Sequence, residues 1–144
     1  MKNRVAQVAF IAVLVVALVL APAALAARGG ASGKGKPGPA PTGSFSLVLV
    51  DSTDGVPHWG QRITFNVTSS ARYYFVAVSC YQGGVLVYRA DKGFYPAWPW
   101  SKEFTLQSYA WSGGAADCSA ELYSQNSDGS KRRTLATMSF PVYA

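Results

Sequence analysis

The chain has 144 residues, of which 49% are hydrophobic and 13% aromatic, and its formal net charge is +6 at neutral pH. This length accommodates one domain with its own core. Five of the thirteen basic residues precede residue 43, and the rest of the chain has eight basic against seven acidic residues. Because a surface that follows phosphates needs clustered Lys and Arg, we expect no nucleic-acid partner.

Residues 1–27 have the three parts of a secretory signal peptide. Lys2 and Arg4 supply the charged start, residues 8–20 form an unbroken apolar run, and residues 24–26 are the small-residue cleavage motif. Cleavage after residue 26 or 27 predicts a protein that is secreted or held in the cell envelope. The apolar segment is also long enough to span a bilayer. The alternative is therefore an N-terminal membrane anchor with the domain facing outside, and this is the only membrane contact we expect.

Residues 28–42, RGGASGKGKPGPAPT, contain no large apolar side chain. Such a segment has nothing to bury that would offset the entropy of ordering it. We predict a disordered Gly/Pro/Ala linker here and a folded domain over residues 43–144.

Residues 73–88, YYFVAVSCYQGGVLVY, predict a β-hairpin. Glycine reaches the positive φ that tight hairpin turns require, so Gly83 and Gly84 mark the turn. Apolar and polar residues alternate in five other segments, as expected of strands, and these segments contain Leu47, Phe65, Phe104, Ala120 and Met138. The sequence therefore predicts an all-β domain of about seven strands. The short basic run at 131–133 is interpreted as a solvated loop or strand start.

The strand before last carries a cysteine within GGAADCSAELY, which resembles the GTYTC-type segment of the penultimate immunoglobulin strand. With the strand count and the order of hairpins, it makes residues 43–144 similar to the immunoglobulin-like sandwich, in the broad sense that includes fibronectin type III and small exported bacterial domains. The resemblance implies a single antiparallel β-sandwich. Ala116 stands where many such domains have a tyrosine. No functional residue is carried over, because this fold has no shared active site.

The chain has two cysteines, Cys80 and Cys118. In an exported protein an even count predicts a disulfide, the alternative being two buried free thiols. The third and sixth strands of such a sandwich are neighbours, so the resemblance implies a bridge between adjacent strands. We expect a structural role, because a redox-active pair usually lies two residues apart beside a helix start.

Few residues suit catalysis. His58 is the single histidine, and in its Pro-His-Trp-Gly context we interpret it as a loop residue packed on an aromatic ring. Asp51, Asp54 and Gly55 resemble a calcium loop only faintly, and a β-turn is the simpler interpretation. We therefore predict no catalytic residue, no metal site and no cofactor.

The segment at residues 94–100, FYPAWPW, interleaves four aromatic residues with prolines. Tyr95, Trp98 and Trp100 are predicted to form a rigid ligand platform for an extracellular glycan or protein partner. The alternative is that these rings complete the core. The predicted function is a non-enzymatic extracellular binding or adhesion-like module, with a structural cell-envelope domain or a carbohydrate-binding module as alternatives.

Overall fold

The computed structural model describes residues 38–144, and the predicted signal peptide and most of the predicted linker lie outside this range. The described residues form seven strands and no helix, which confirms the predicted all-β class. The strands are β1 (Gly43–Leu49), β2 (Arg62–Ser69), β3 (Tyr74–Gln82), β4 (Val85–Gly93), β5 (Phe104–Thr105), β6 (Ala116–Ser124) and β7 (Arg133–Val142).

The strands form two antiparallel sheets, with the orders β1-β2-β5 and β4-β3-β6-β7. The predicted hairpin is present as β3 and β4, and its turn residues Gly83 and Gly84 have φ values of 55° and 83°. These positive values explain why two glycines occupy the turn. Pro141 lies on β7, an edge strand of the larger sheet. Proline has no amide hydrogen to donate, and an edge strand tolerates this because one of its sides has no partner strand.

The core lies between the sheets and uses alternate residues of each. Ile63 and Phe65 of β2 are buried together with Val76 and Val78 of β3. Loop residues complete it, and Trp111 is fully buried with its indole N–H donated to the Gly114 carbonyl at 3.1 Å. A shared core between two antiparallel sheets is the arrangement of a β-sandwich.

The predicted disulfide is confirmed. Cys80 and Cys118 are directly opposite each other on β3 and β6 and are bonded. Both side chains face the core, with 0% and 3% of their surface exposed. The bridge is therefore a structural cross-link that solvent reductants cannot reach without opening the sandwich.

Replacing both cysteines (Cys80→Ala with Cys118→Ala) should lower the free energy of unfolding. The bridge joins residues 38 positions apart, and the loop-entropy relation gives about 4 kcal/mol for such a loop. Urea unfolding followed by circular dichroism measures the change. Ser79→Ala with Ser119→Ala is a matched control, because this pair is the next one along the same two strands. A cysteine variant as stable as this control would contradict the prediction.

Candidate functional site

The predicted platform segment divides between the core and the outer face of the larger sheet. Phe94 is 6% exposed and stacks on Phe104, with ring centroids 6.4 Å apart. After Phe94 the chain turns back, and the Trp98 amide donates to the Tyr95 carbonyl at 3.0 Å. The segment is thus neither wholly core nor wholly surface, and its first aromatic residue is the one that fills the sandwich.

Trp98 lies directly against the backbone of Gly93, the last residue of β4. A Cβ atom at Gly93 would be 2.3 Å from Cε3 of the Trp98 ring, closer than any real contact. Gly93 pairs with Phe75 on β3, so the indole covers the end of the sheet at this point. Because Gly93 has no side chain, the loop after β4 can place Trp98 against the sheet at this point.

The outer face of the sheet supplies further rings at the same end. Phe75 and Tyr123 are opposite each other on β3 and β6 and stack with centroids 5.4 Å apart. Their chain neighbours Val76 and Leu122 are fully buried in the core. Because side chains alternate along a strand, Phe75 and Tyr123 must face outward.

We call the resulting group the aromatic cluster, which comprises Tyr73, Phe75, Tyr95, Trp98, Trp100 and Tyr123. Tyr95 joins Tyr73, Phe75 and Trp98 at centroid distances of 5.2, 5.5 and 5.7 Å. Trp100 adds to the outer end, 4.7 Å from Trp98. Most of these pairs are edge-to-face, a favoured geometry for aromatic rings.

Trp98 and Trp100 have different surroundings within the aromatic cluster. Trp98 is partly buried, and its indole N–H has no hydrogen-bond partner among the described residues. An unpaired buried donor costs about 1–3 kcal/mol, so packing alone must hold this ring in place. Trp100 is 67% exposed. Trp98 is thus the supporting ring and Trp100 the one that presents a face to solvent.

Substituting Gly93→Ala should displace Trp98 from the sheet. The added methyl group would overlap the indole, so we expect a loss of about 1–3 kcal/mol in the free energy of unfolding and greater quenching of tryptophan fluorescence by acrylamide. Gly38→Ala is the control, since a Cβ at Gly38 meets no atom within 4 Å. Unchanged quenching in Gly93→Ala would show that Trp98 does not rest on this glycine.

Charged groups surround Tyr123. The Arg132 guanidinium lies 3.5 Å from the centre of its ring and pairs with Glu121 at 2.6 Å. The Tyr123 hydroxyl donates to Asp91 at 3.1 Å. Burial, and next the Asp91 carboxylate, raise the pKa of Tyr123 to about 12, so this hydroxyl remains a donor at neutral pH.

A cleft of about 590 Å³ adjoins the aromatic cluster. Its basic lining residues are Arg72, Lys131 and Arg133, and Tyr73 belongs to both the cleft and the aromatic cluster. The sequence analysis predicts a solvated loop or strand start for the basic run at 131–133. Its three residues are exposed, but Arg132 covers Tyr123 whereas Lys131 and Arg133 line the cleft. No local sequence pattern marks Arg72, which is 59 positions from Lys131 and meets it only through the fold.

The outer face continues away from the aromatic cluster as a shallow polar hollow of about 340 Å³. Small side chains of adjacent strands form its floor, among them Ala77, Ser79 and Ser119. Arg89 and Glu121 stand at its sides. Hydroxyl, carboxylate and guanidinium groups are therefore in reach of a molecule that extends beyond the rings.

His58 lies in a different part of the surface, in the loop before β2. Its Nε2 and an Asp54 carboxylate oxygen are 2.9 Å apart, and its Nδ1 is 2.9 Å from the Ala144 carbonyl oxygen. The centroids of the His58 and Tyr143 rings are 5.9 Å apart. The predicted packing on an aromatic ring is thus confirmed, with Tyr143 as the aromatic partner. Ser52 donates to Asp54 at 3.0 Å, so Ser52 and His58 bond to the two oxygens of the same carboxylate.

The Asp54–His58 pair should make stability depend on pH. The hydrogen bond to Asp54, and next that to Ala144, raise the pKa of His58 above 6.5. The hydrogen bond from His58, and next that from Ser52, lower the pKa of Asp54 from 3.8 to about 2. The stabilisation by His58 is full below its unfolded pKa and is lost as the pH rises through the folded pKa. The stabilisation by Asp54 is lost as the pH falls from about 4 towards 2.

The stability difference between wild type and His58→Gln should therefore be largest near pH 5 and disappear at high pH. Thermal unfolding from pH 3 to 9 measures this difference. The chain has one histidine, so proton NMR follows its titration without assignment. A His58 pKa at or below 6.5 would contradict the prediction.

Within residues 38–144, no group of three or more His, Cys, Asp or Glu side chains could hold a metal ion. The same residues include no helix with the length and apolar content that a membrane span requires. Comparisons with protein-family models, with characterised proteins and with solved structures found no match for this chain.

Proposed function

We propose that residues 43–144 form an immunoglobulin-like sandwich of the fibronectin type III kind, in a protein that is exported by its N-terminal signal. The strand order supports the fold type. In immunoglobulin constant domains the first, second and fifth strands share one sheet and the third, sixth and seventh the other. The orders β1-β2-β5 and β4-β3-β6-β7 follow this division except at the fourth strand, which lies in the first sheet of constant domains and is paired to β3 here. A disulfide in the core suits an oxidising compartment.

The domain acts in this proposal as a non-enzymatic module that binds an extracellular glycan. The observation that carries the proposal is the placement of Trp100, which is 67% exposed at the end of a packed series of rings. A large exposed ring on a supporting ring offers a flat apolar face whose position is fixed before binding. Little ordering entropy is then lost on association.

The polar hollow favours a glycan over an extended peptide. A peptide that binds a sheet usually adds a strand at an edge, whereas the aromatic cluster and the hollow lie on the face. A sugar presents an apolar ring face and a rim of hydroxyl groups. These hydroxyls would meet Ser79, Arg89, Ser119 and Glu121, which line the hollow, while the ring stacks on Trp100.

A purely structural role in the cell envelope is the second candidate. Phe94 favours it, because this residue of the same segment is buried and contributes to the core. The two roles differ in what Trp100 does, since a structural domain would not depend on an exposed ring.

Trp100→Ala should weaken glycan binding at least about 10-fold, as expected when a central tryptophan is truncated, and should change the free energy of unfolding by less than about 1 kcal/mol. Glycan binding is measured by affinity electrophoresis against a panel of soluble neutral and acidic polysaccharides. Calorimetry then gives the affinity for the polysaccharide that binds most tightly. Urea unfolding measures the change in the free energy of unfolding.

Two controls accompany this test. Trp98→Phe keeps a supporting ring and removes the unpaired indole N–H, so binding should be retained within a few-fold. Tyr109→Ala removes a ring that is fully exposed in the connection between β5 and β6, near the Gly83-Gly84 end of the sandwich, and should have no effect. Binding that depends on Tyr109 and not on Trp100 would place the site elsewhere, and absence of binding to every polysaccharide would favour the structural role.

A further inference from the structure

The cleft beside the aromatic cluster carries uncompensated positive charge. Arg72, Lys131 and Arg133 line it, and none of them lies within 4.0 Å of a carboxylate oxygen among residues 38–144. Arg62 and Arg132, by contrast, are each paired with a carboxylate at 2.6–2.9 Å. The cationic groups of the cleft are thus available to an anion from outside.

The one acidic residue of the cleft does not neutralise it. Asp128 Oδ1 accepts a hydrogen bond from the Ser130 amide at 2.9 Å, which closes the turn before β7. The carboxylate keeps its negative charge, which also acts on Lys131, but it balances only one of the three cations. Three cations against one carboxylate leave a net positive cleft in a domain that is otherwise nearly neutral.

Lys131 occupies a backbone conformation that does not favour it. Its φ is 54°, and no other residue except glycine has a positive φ in the described part of the chain. Glycine or asparagine suits this conformation better than lysine. Backbone strain of this kind tends to persist at functional sites, and here it holds a cation at the cleft.

The cleft and the aromatic cluster form one continuous surface. The Tyr73 ring is 5.2 Å from that of Tyr95, and the Arg72 guanidinium is 5.3 Å from the centre of the Tyr73 ring. From Tyr95 the rings continue through Trp98 to the exposed Trp100. A ligand of a few units could therefore contact the rings and the cations together.

We infer that the ligand of this site is an acidic saccharide, whose sugar ring stacks on the aromatic cluster while its anionic group binds Arg72, Lys131 and Arg133 in the adjoining cleft. The inference rests on the proposed glycan-binding function and specifies its ligand. Arginine fits planar carboxylates and phosphates with two parallel hydrogen bonds, and lysine adds a point charge. The shared chemistry is an anionic substituent on a sugar, which a uronic acid or a sugar phosphate provides.

A neutral glycan would have no anionic group for the three cations of the cleft to bind. A nucleic acid would need a larger number of cationic side chains. Proteins that follow a phosphate backbone combine stacking rings with a longer positive groove. The remaining outer face carries both charge signs, with Asp91 and Glu121 beside Arg89 and Arg132. An isolated anionic group next to a stacked ring matches the charge pattern better.

The test is calorimetry of the full-length protein with four probes, namely a neutral β-glucan, polygalacturonate, a phosphomannan and a single-stranded oligothymidylate. We expect at least one acidic polymer to bind 10-fold or more tightly than the neutral glucan, with an affinity that falls as salt rises. The polygalacturonate and phosphomannan arms show whether the anionic group is a carboxylate or a phosphate.

The variant Arg72→Gln/Lys131→Asn/Arg133→Gln should reduce acidic-polymer binding to the level of the neutral glucan. Asparagine suits the positive φ at residue 131, which favours folding of the variant. Lys92→Gln is the matched control, because it removes a positive charge at a residue that lines neither the cleft nor the hollow. If the triple variant does not fold, Arg72→Gln alone should reduce the affinity several-fold.

The outcomes separate this inference from the proposed function. Equal affinity for neutral and acidic polymers, with loss in Trp100→Ala, would overturn the inference and leave glycan binding intact. Binding to no polysaccharide would overturn both. Tightest binding to the oligothymidylate, or an equal loss in Lys92→Gln, would also overturn the assignment of the cleft.

Discussion

The pairing of β3 with β6 is the constraint on which the rest of the structure depends. One register places Cys80 opposite Cys118 on the inner side and Phe75 opposite Tyr123 on the outer side. Because side chains alternate with a period of two, a slip of one residue would turn the disulfide outward and bury the stacked rings. The covalent bond therefore fixes the core and the floor of the aromatic cluster at the same time.

Gly93 extends this arrangement to the loop that follows β4. Its pairing with Phe75 places it at the end of the outer face, and the missing side chain lets Trp98 lie against the backbone. The indole N–H of this ring donates no hydrogen bond to any residue in the described part of the chain. Packing rather than polar contact thus supports the exposed Trp100, and the stability of this region depends on the shape of one residue.

Strand content, the hairpin and the disulfide could be predicted from the sequence, because alternation, turn glycines and cysteine count are local signals. The site could be predicted only in part. Tyr95, Trp98 and Trp100 are adjacent in the chain, and their composition marks them. Arg72 and Tyr123 approach them only through strand pairing, and no local pattern encodes which loops meet at one end of a sandwich.

The two ends of the sandwich differ in how their polar groups are satisfied. Near the Gly83-Gly84 turn, the Trp59 indole donates to the Trp111 carbonyl at 3.0 Å and Gln82 donates to two loop carbonyls. The end with the aromatic cluster has Lys131 in a left-handed conformation. Among residues 38–144, the Trp98 N–H there has no hydrogen-bond partner and the cations of the cleft have no carboxylate oxygen within 4.0 Å. Sequences that fold well keep such conflicts few. Their concentration at one end, beside the exposed Trp100, is the pattern expected where selection favours binding over stability.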